Sequence, residues 1–207
     1  MSSVLLAAYH VYLRIRIAKD PGYTIQSVNF KARALWVERI MKSGEDGVLA
    51  VQTLRNSTMA ATLMASTSVI LVIGVLTLSG QGDKLGATWH VLNPGDISAE
   101  IWLLKLIMVL LCFFTAFFSF SLSVRMFNHV GYLINVPLSM GQSLISAEYV
   151  AVYLNQAGKY YSVGMRAFYF SVPLIFWLFG PQFMLSATIA LIVALYRIDR
   201  APTSTAD

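Results

Sequence analysis

The apolar positions along this chain fall into four blocks, set apart by polar or turn-forming residues. The first covers residues 2–18. Its unbroken apolar part, Val4 to Leu13, is short of the about 20 residues that a helix needs to cross ~30 Å of hydrocarbon. It reads as a helix that dips in partway, or as the trimmed start of a longer span, and it lacks a secretory cleavage pattern. Asp20-Pro21-Gly22 ends it. The second block, residues 55–79, holds 22 uncharged residues in a row, Ser57 to Leu78, enough to span. The third, residues 101–124, carries Lys105 one turn inside its start, from where the ammonium can snorkel outward. The fourth, residues 167–196, is longer than one span requires and is interrupted by Pro173 and Gly180-Pro181. It is either one tilted, kinked helix or a broken pair.

Two helices of mixed character lie between these blocks. In residues 24–42, Ile25, Val28, Ala32, Leu35 and Trp36 can share one face, with Lys31, Arg39 and Lys42 elsewhere. A basic amphipathic helix beside spans belongs at the membrane interface. Residues 43–47, SGEDG, form a turn. Residues 143–166 are helical but too polar to span, residues 79–96 form a polar loop, and residues 201–207 a flexible tail. The pattern predicts an all-α protein. It is a helical integral membrane bundle over residues 1–200, one domain, with about four hydrophobic segments plus two cytoplasmic-side amphipathic helices.

Composition sharpens that picture. Of 207 residues, 57% are hydrophobic and 12% charged, where soluble domains carry about 25% charged. Mean hydropathy is +0.66, and a water-soluble domain of this size has too little interior to hide so much apolar surface. A net charge of +5 would suit nucleic acid. However, the basic residues flank apolar spans instead of forming one dense patch, so the partner they imply is a lipid bilayer, in a cell membrane. The single cysteine, Cys112, excludes an internal disulfide and a cysteine-based metal site.

The positive-inside rule puts residues 24–55, Arg125 and residues 138–166 in the cytosol, together with Arg14, Arg16 and Lys19. Lys84, Lys105, Arg197 and Arg200 fall on the other side if the fourth block crosses once; a hairpin there returns the tail to the cytosol. Within the second block, Ser57, Ala61 and Ala65 are spaced by four, as are Thr58, Thr62 and Ser66. Such rows let helix backbones approach closely in a bilayer, which predicts that this span is the packing centre of the bundle.

The strings AYHVYL, RALWVE, GVLAVQTLRNSTMAATLMAST, NHVGYLINVP and GMRAFYFSVPLIFWLFGP, in this order across nearly the whole chain, resemble domain-of-unknown-function family 599. Its members are multi-pass membrane proteins of bacteria and plants. The resemblance implies a helical membrane fold of about four spans and no activity. Family members usually carry more apolar residues before the AYH word, which fits a trimmed start.

Gln52, Arg55 and Asn56 open the second block, and Arg125, Asn128, His129 and Tyr132 follow the third at i, i+3, i+4 and i+7. Consecutive antiparallel spans put both groups at one membrane depth. Tyr9 and His10 can approach the same level, and Glu148 and Arg166 share the side. Arginine forks suit phosphate and carboxylate, so the set reads as a vestibule for an anion, lipid headgroup or quinone head. Its alternative is a hydrogen-bond clamp between helix ends. His10 and His129 are candidate haem ligands, and His90 lies in the 79–96 loop. No HExxH, cysteine cluster, GxSxG, P-loop or GxGxxG occurs, so no catalytic residue, metal or cofactor other than that haem is expected. The aromatics of KYYSVGMRAFYF and IFWLF suit an interface belt. These features predict a non-enzymatic, oligomer-forming or accessory membrane subunit, channel-like or transporter-like. The alternatives are a haem- or quinone-binding redox subunit and a lipid-binding scaffold.

Overall fold

The computed structural model describes residues 2–20, 22–44, 46–80, 99–136 and 145–201. The 79–96 loop with His90, the start of the 143–166 segment and the tail beyond Ala201 lie largely or wholly outside these residues. The described chain is all α-helix apart from short connections: α1 (Ser2–Lys19), α2 (Ile25–Ser43), α3 (Gly47–Ser79), α4 (Ala99–Leu133), α5 (Ala147–Phe179) and α6 (Pro181–Ile198). Among the described residues α3, α4 from Glu100, α5 and α6 are long and apolar enough to cross a membrane, as a multi-pass membrane protein requires. The 18 residues of α1 are not among them; Arg14, Arg16 and Lys19 charge its last turns.

Helices α3, α4 and α5 run 33, 35 and 33 residues. At ~1.5 Å rise per residue each is about 50 Å long, well beyond ~30 Å of hydrocarbon. Each apolar block is thus the membrane part of a longer helix. Nothing breaks the backbone before Arg55, so α3 starts at Gly47 and not at residue 55. Likewise α4 continues past Val124 to Leu133.

The fourth block is divided where the sequence reading left the choice open. Residues 147–166, set apart as too polar to span, form one helix with residues 167–179, and Pro173 lies buried within it. A proline removes one donor and kinks a helix, but neighbours in a bundle tolerate it. The break falls at Gly180, whose φ of 148° no side chain readily adopts. Pro181 follows at the first position of α6 and disfavours helical backbone at the residue before it.

Contacts group the chain into two compact units: residues 1–28, 71–113 and 168–207, and residues 29–70 and 114–167. In the first unit Val72 and Val75 of α3 pack with Leu106, Val109 and Phe113 of α4 and Leu178 of α5. Lys105 is buried there, its ammonium 5.4 Å from the centre of the Trp177 ring. Tyr9 of α1 packs on Leu191 and Leu195 of α6. The chain end pairs with the start of α2: Thr24 and Arg200 form an antiparallel bridge, Ile25 N donates to Asp199 O at 3.2 Å, and Ala201 N donates to Tyr23 O at 3.1 Å.

In the second unit Val37 and Ile40 of α2, Leu54 of α3, Val130 and Ile134 of α4 and Val150 and Leu154 of α5 form one core. The small rows of α3 divide. Ala61 is fully buried with Ser57 and Ala65 half-buried, whereas Thr62 and Ser66 are exposed. The most apolar stretch of α3 is 22% buried within the chain, against 28% for those of α4 and α5, and in mid-span Ala61 packs inward while Thr62 faces out. Its hydroxyls bond back to carbonyls one turn earlier, as Thr62 Oγ1 to Thr58 O and Thr67 Oγ1 to Leu63 O, both 2.9 Å. That leaves no unsatisfied hydroxyl donor toward hydrocarbon at these positions.

Gly164 of α5 sits against Phe120 of α4, and a Cβ there would lie 2.8 Å from the ring. Phe120 is fully buried and meets Tyr161 edge-on at 5.4 Å, so it has no room to yield. Alanine gains roughly 1 kcal/mol over glycine in a helix, while overpacking costs typically 1–3 kcal/mol. Gly164→Ala is expected to lower the detergent melting temperature, and Phe120→Leu in the same chain to restore part of it. An unchanged or higher melting temperature for the single variant would refute this packing.

Candidate functional site

The second unit gathers most of the side chains that the sequence marks. Its scaffold is α2, and α2 carries two apolar stripes. Val37, Ile40 and Met41 face the core. Of the face read from the sequence as the apolar side of an interfacial helix, Ile25, Val28, Ala32 and Leu35 are exposed, Leu35 to 67%, while Trp36 is half-buried against the core. The two stripes lie on roughly opposite sides of a 3.6-residue helix. The inner one packs on protein, and the outer one, beside Lys31 and Arg39, suits the acyl and headgroup boundary.

Between the inner stripe and the solvent lies Arg33, which the sequence reading did not single out. Its Nε donates to Asn155 Oδ1 on α5 at 3.0 Å, and Asn155 is buried. The guanidinium rests on Gly158, where a Cβ would overlap it. One turn of α5 thus supplies an amide acceptor and a bare backbone as a seat. Burial lowers the Arg33 guanidinium from its ordinary value, but arginine stays charged throughout the accessible pH range. On the neighbouring α4, Ser123 Oγ donates to Ala157 O at 2.9 Å, which ties α4 to the same turn. The sequence signal was an arginine at the edge of an amphipathic face and an N-x-x-G step in α5, too weak to join across 122 residues.

The ends of α2, α3 and α4 frame a cleft of about 830 Å³. Apolar walls come from Ile40, Met41, Val48, Val51 and Ile134; Lys42, Ser43, Gln52 and Asn135 are its polar side chains. Gly44, at φ 67°, lets the chain turn out of α2. Gly47 meets the Asn135 side chain so closely that a Cβ would lie 2.9 Å from Oδ1. Two exposed ion pairs flank the cleft, Arg39 with Asp46 at 3.0 Å and Lys42 with Glu38 at 2.7 Å. The hydrogen bond from Lys42 holds the Glu38 carboxyl below its ordinary value. A space of this size, mostly apolar with a few polar groups, has the chemistry of a small-molecule or lipid site.

The sequence-marked residues divide. Gln52 lines the cleft. Arg55 and Asn56 lie exposed on α3, and Arg125, Asn128, His129 and Tyr132 exposed on α4, with Tyr132 82% exposed. No hydrogen bond or ion pair among the described residues joins the α3 group to the α4 group. His129 packs on Tyr153 with ring centres 4.8 Å apart, and Tyr149 meets Tyr153 at the same spacing. Arg166 is half-buried in α5. The side chain of His10 lies outside the described ones, so the paired-histidine expectation does too. Among the described residues no three His, Cys, Asp or Glu side chains gather as metal ligands would.

If Arg33 seats α2, then Asn155→Leu should loosen it. A hydrogen bond to a charged group contributes about 1.5–3 kcal/mol, which predicts at least tenfold faster amide exchange over residues 29–43. Exchange in the core of α4 should not change. Equal exchange of α2 in both proteins would show that the seat holds nothing.

No curated protein and no solved structure matches the chain. Residues 1–204 match the family described as "Protein of unknown function, DUF599", and the chain belongs to that family.

Proposed function

We propose that this protein is a non-enzymatic subunit of a cell membrane that works as an assembly, a homo-oligomer or an accessory part of a larger complex, with channel-like passage as the activity such an assembly permits. The observation that carries the reading is the divided surface of α3. The Ser57–Ala61–Ala65 row has Ala61 fully buried in the chain's own packing, and the neighbouring row, half-buried at Thr58, is exposed at Thr62 and Ser66 beside the exposed Met59 and Leu63. Lipid gains nothing from a small-residue row, whereas a second helix gains close backbone approach. The occupant we assign is the α3 of a second copy.

The charge distribution supports an orientation. With α5 and α6 as a hairpin about Gly180, the chain end meets Thr24 at the start of α2. Arg197 and Arg200 then share the side of Arg14, Arg16 and Lys19 at the end of α1, and the positive-inside rule makes that side cytosolic. The single-crossing alternative would have stranded both arginines outside.

In a Cys112→Ser background, Thr62→Cys is expected to cross-link into a dimer in native membranes, and Ala61→Cys, on the buried row, is not. Equal yields from both positions, or none from either in a monomeric protein, would remove the proposal.

The cleft beside Lys42 favours a second reading, a scaffold that holds a lipid at the cytosolic interface. Filling it by Val51→Trp should cut co-purified lipid by about the occupancy of one site, since a pocket loses its ligand when its apolar volume is filled. Identical lipid content in the two proteins would leave the cleft without that role.

A further inference from the structure

A second basic constellation lies in the first unit. It interleaves arginine and tyrosine from α1, the turn before α2, and the end of α6. The Arg16 guanidinium carbon lies 5.6 Å from the ring centres of both Tyr12 and Tyr23. That of Arg200 lies 5.5 Å from Tyr23 and 4.5 Å from Tyr196. Two like charges are therefore held against one shared ring.

Each arginine commits its Nε to a phenol: Arg16 to Tyr12 Oη at 3.2 Å, Arg200 to Tyr23 Oη at 3.0 Å. A guanidinium has five N–H donors, so both retain their terminal forks. Among the described residues neither fork meets a carboxylate. The nearby acids are engaged elsewhere: Asp199 Oδ2 accepts from Tyr9 Oη at 2.9 Å, and Asp20 Oδ1 from Gly22 N at 2.9 Å. Both arginines are exposed.

Position is fixed as well as charge. The Thr24–Arg200 bridge and the bond from Ala201 N to Tyr23 O pin the backbone on both sides of the shared ring. Cation–π contact restrains both guanidiniums, which reduces the ordering cost of binding. Two pre-set forks that meet no counter-charge among the described residues suit an oxyanion, and the planar fork matches phosphate oxygens in pairs.

We infer that Arg16 and Arg200, framed by Tyr12, Tyr23 and Tyr196, bind the phosphate of an anionic headgroup. The site sits at the end of α6, where a cytosolic leaflet presents anionic lipid. It rests on the orientation proposed above and is independent of self-association through α3. A mere clasp for the chain end would use the same ring contacts, and lysine preserves those while lacking the fork.

The test is native mass spectrometry of the full chain in non-ionic detergent, titrated with phosphatidylglycerol or phosphatidylcholine. The wild type should prefer phosphatidylglycerol. Arg16→Lys with Arg200→Lys should weaken that binding about tenfold, as loss of charge-assisted bidentate bonds implies, with the melting temperature unchanged. Should the double variant not fold, Arg16→Lys alone is expected to weaken binding by a smaller factor. Inorganic phosphate added at millimolar concentration separates two sources of the same chemistry: competition identifies a soluble phosphate, and its absence a lipid headgroup. Equal affinity in wild type and variant, no preference of the wild type for either phosphate source over phosphatidylcholine, or lipid loss that only follows loss of stability would each overturn the site.

Discussion

Hydrocarbon cannot hydrogen-bond a peptide group, and that constraint organises this molecule. Every backbone donor in the apolar blocks has to be satisfied by its own helix, which is why α3, α4, α5 and α6 are continuous through their apolar lengths. The same pressure acts on side chains. The hydroxyls of Thr62, Thr67, Ser68 and Thr77 in α3 donate to carbonyls of the preceding turn, so a segment rich in Ser and Thr still presents an apolar surface. The one break in the fourth block occurs at a glycine, where the backbone can leave the helix without strain.

Helix length then meets bilayer thickness. Helices of about 50 Å in a film of ~30 Å have roughly two-fifths of their length outside the hydrocarbon. For α5 this part is the polar stretch from Ala147. These outer lengths of α3, α4 and α5 can pack as soluble helices do, and α2 completes their core with Val37, Ile40 and Met41. A second apolar stripe on α2 would be a liability in water and is useful at a lipid interface. Arg33 reaches from the same helix to Asn155 and Gly158, so a polar anchor and an apolar face locate α2 together.

Basic residues in this protein answer two different demands. Arg39 and Lys42 are paired with Asp46 and Glu38 at the surface, and exposed pairs of this kind contribute little to stability. Arg16 and Arg200 have tyrosine rings in place of acids, and Arg33 has an amide. Cations that meet no acidic partner among the described residues suit an anionic leaflet.

Much of the architecture was legible before any coordinate, because its causes are local. Apolar length marks a span, low charge excludes a soluble core, and the AVQTLRN and RAFYFSVPLIFWLFGP strings carried the family. Gln52, Arg55 and Asn56 lie on α3 and Arg125, Asn128, His129 and Tyr132 on α4, and the common face of the α4 set, at i, i+3, i+4 and i+7, follows from helix geometry alone. Tertiary structure decided the rest. It chose the inner stripe of α2, put the break at Gly180 and not Pro173, and turned Thr62 outward and Ala61 inward. It also joined Arg33 to Asn155 and Arg200 to Tyr23, pairs 122 and 177 residues apart. Periodicity says that a face exists; only the packing of distant helices says which way it points, because that depends on neighbours the local sequence does not contain.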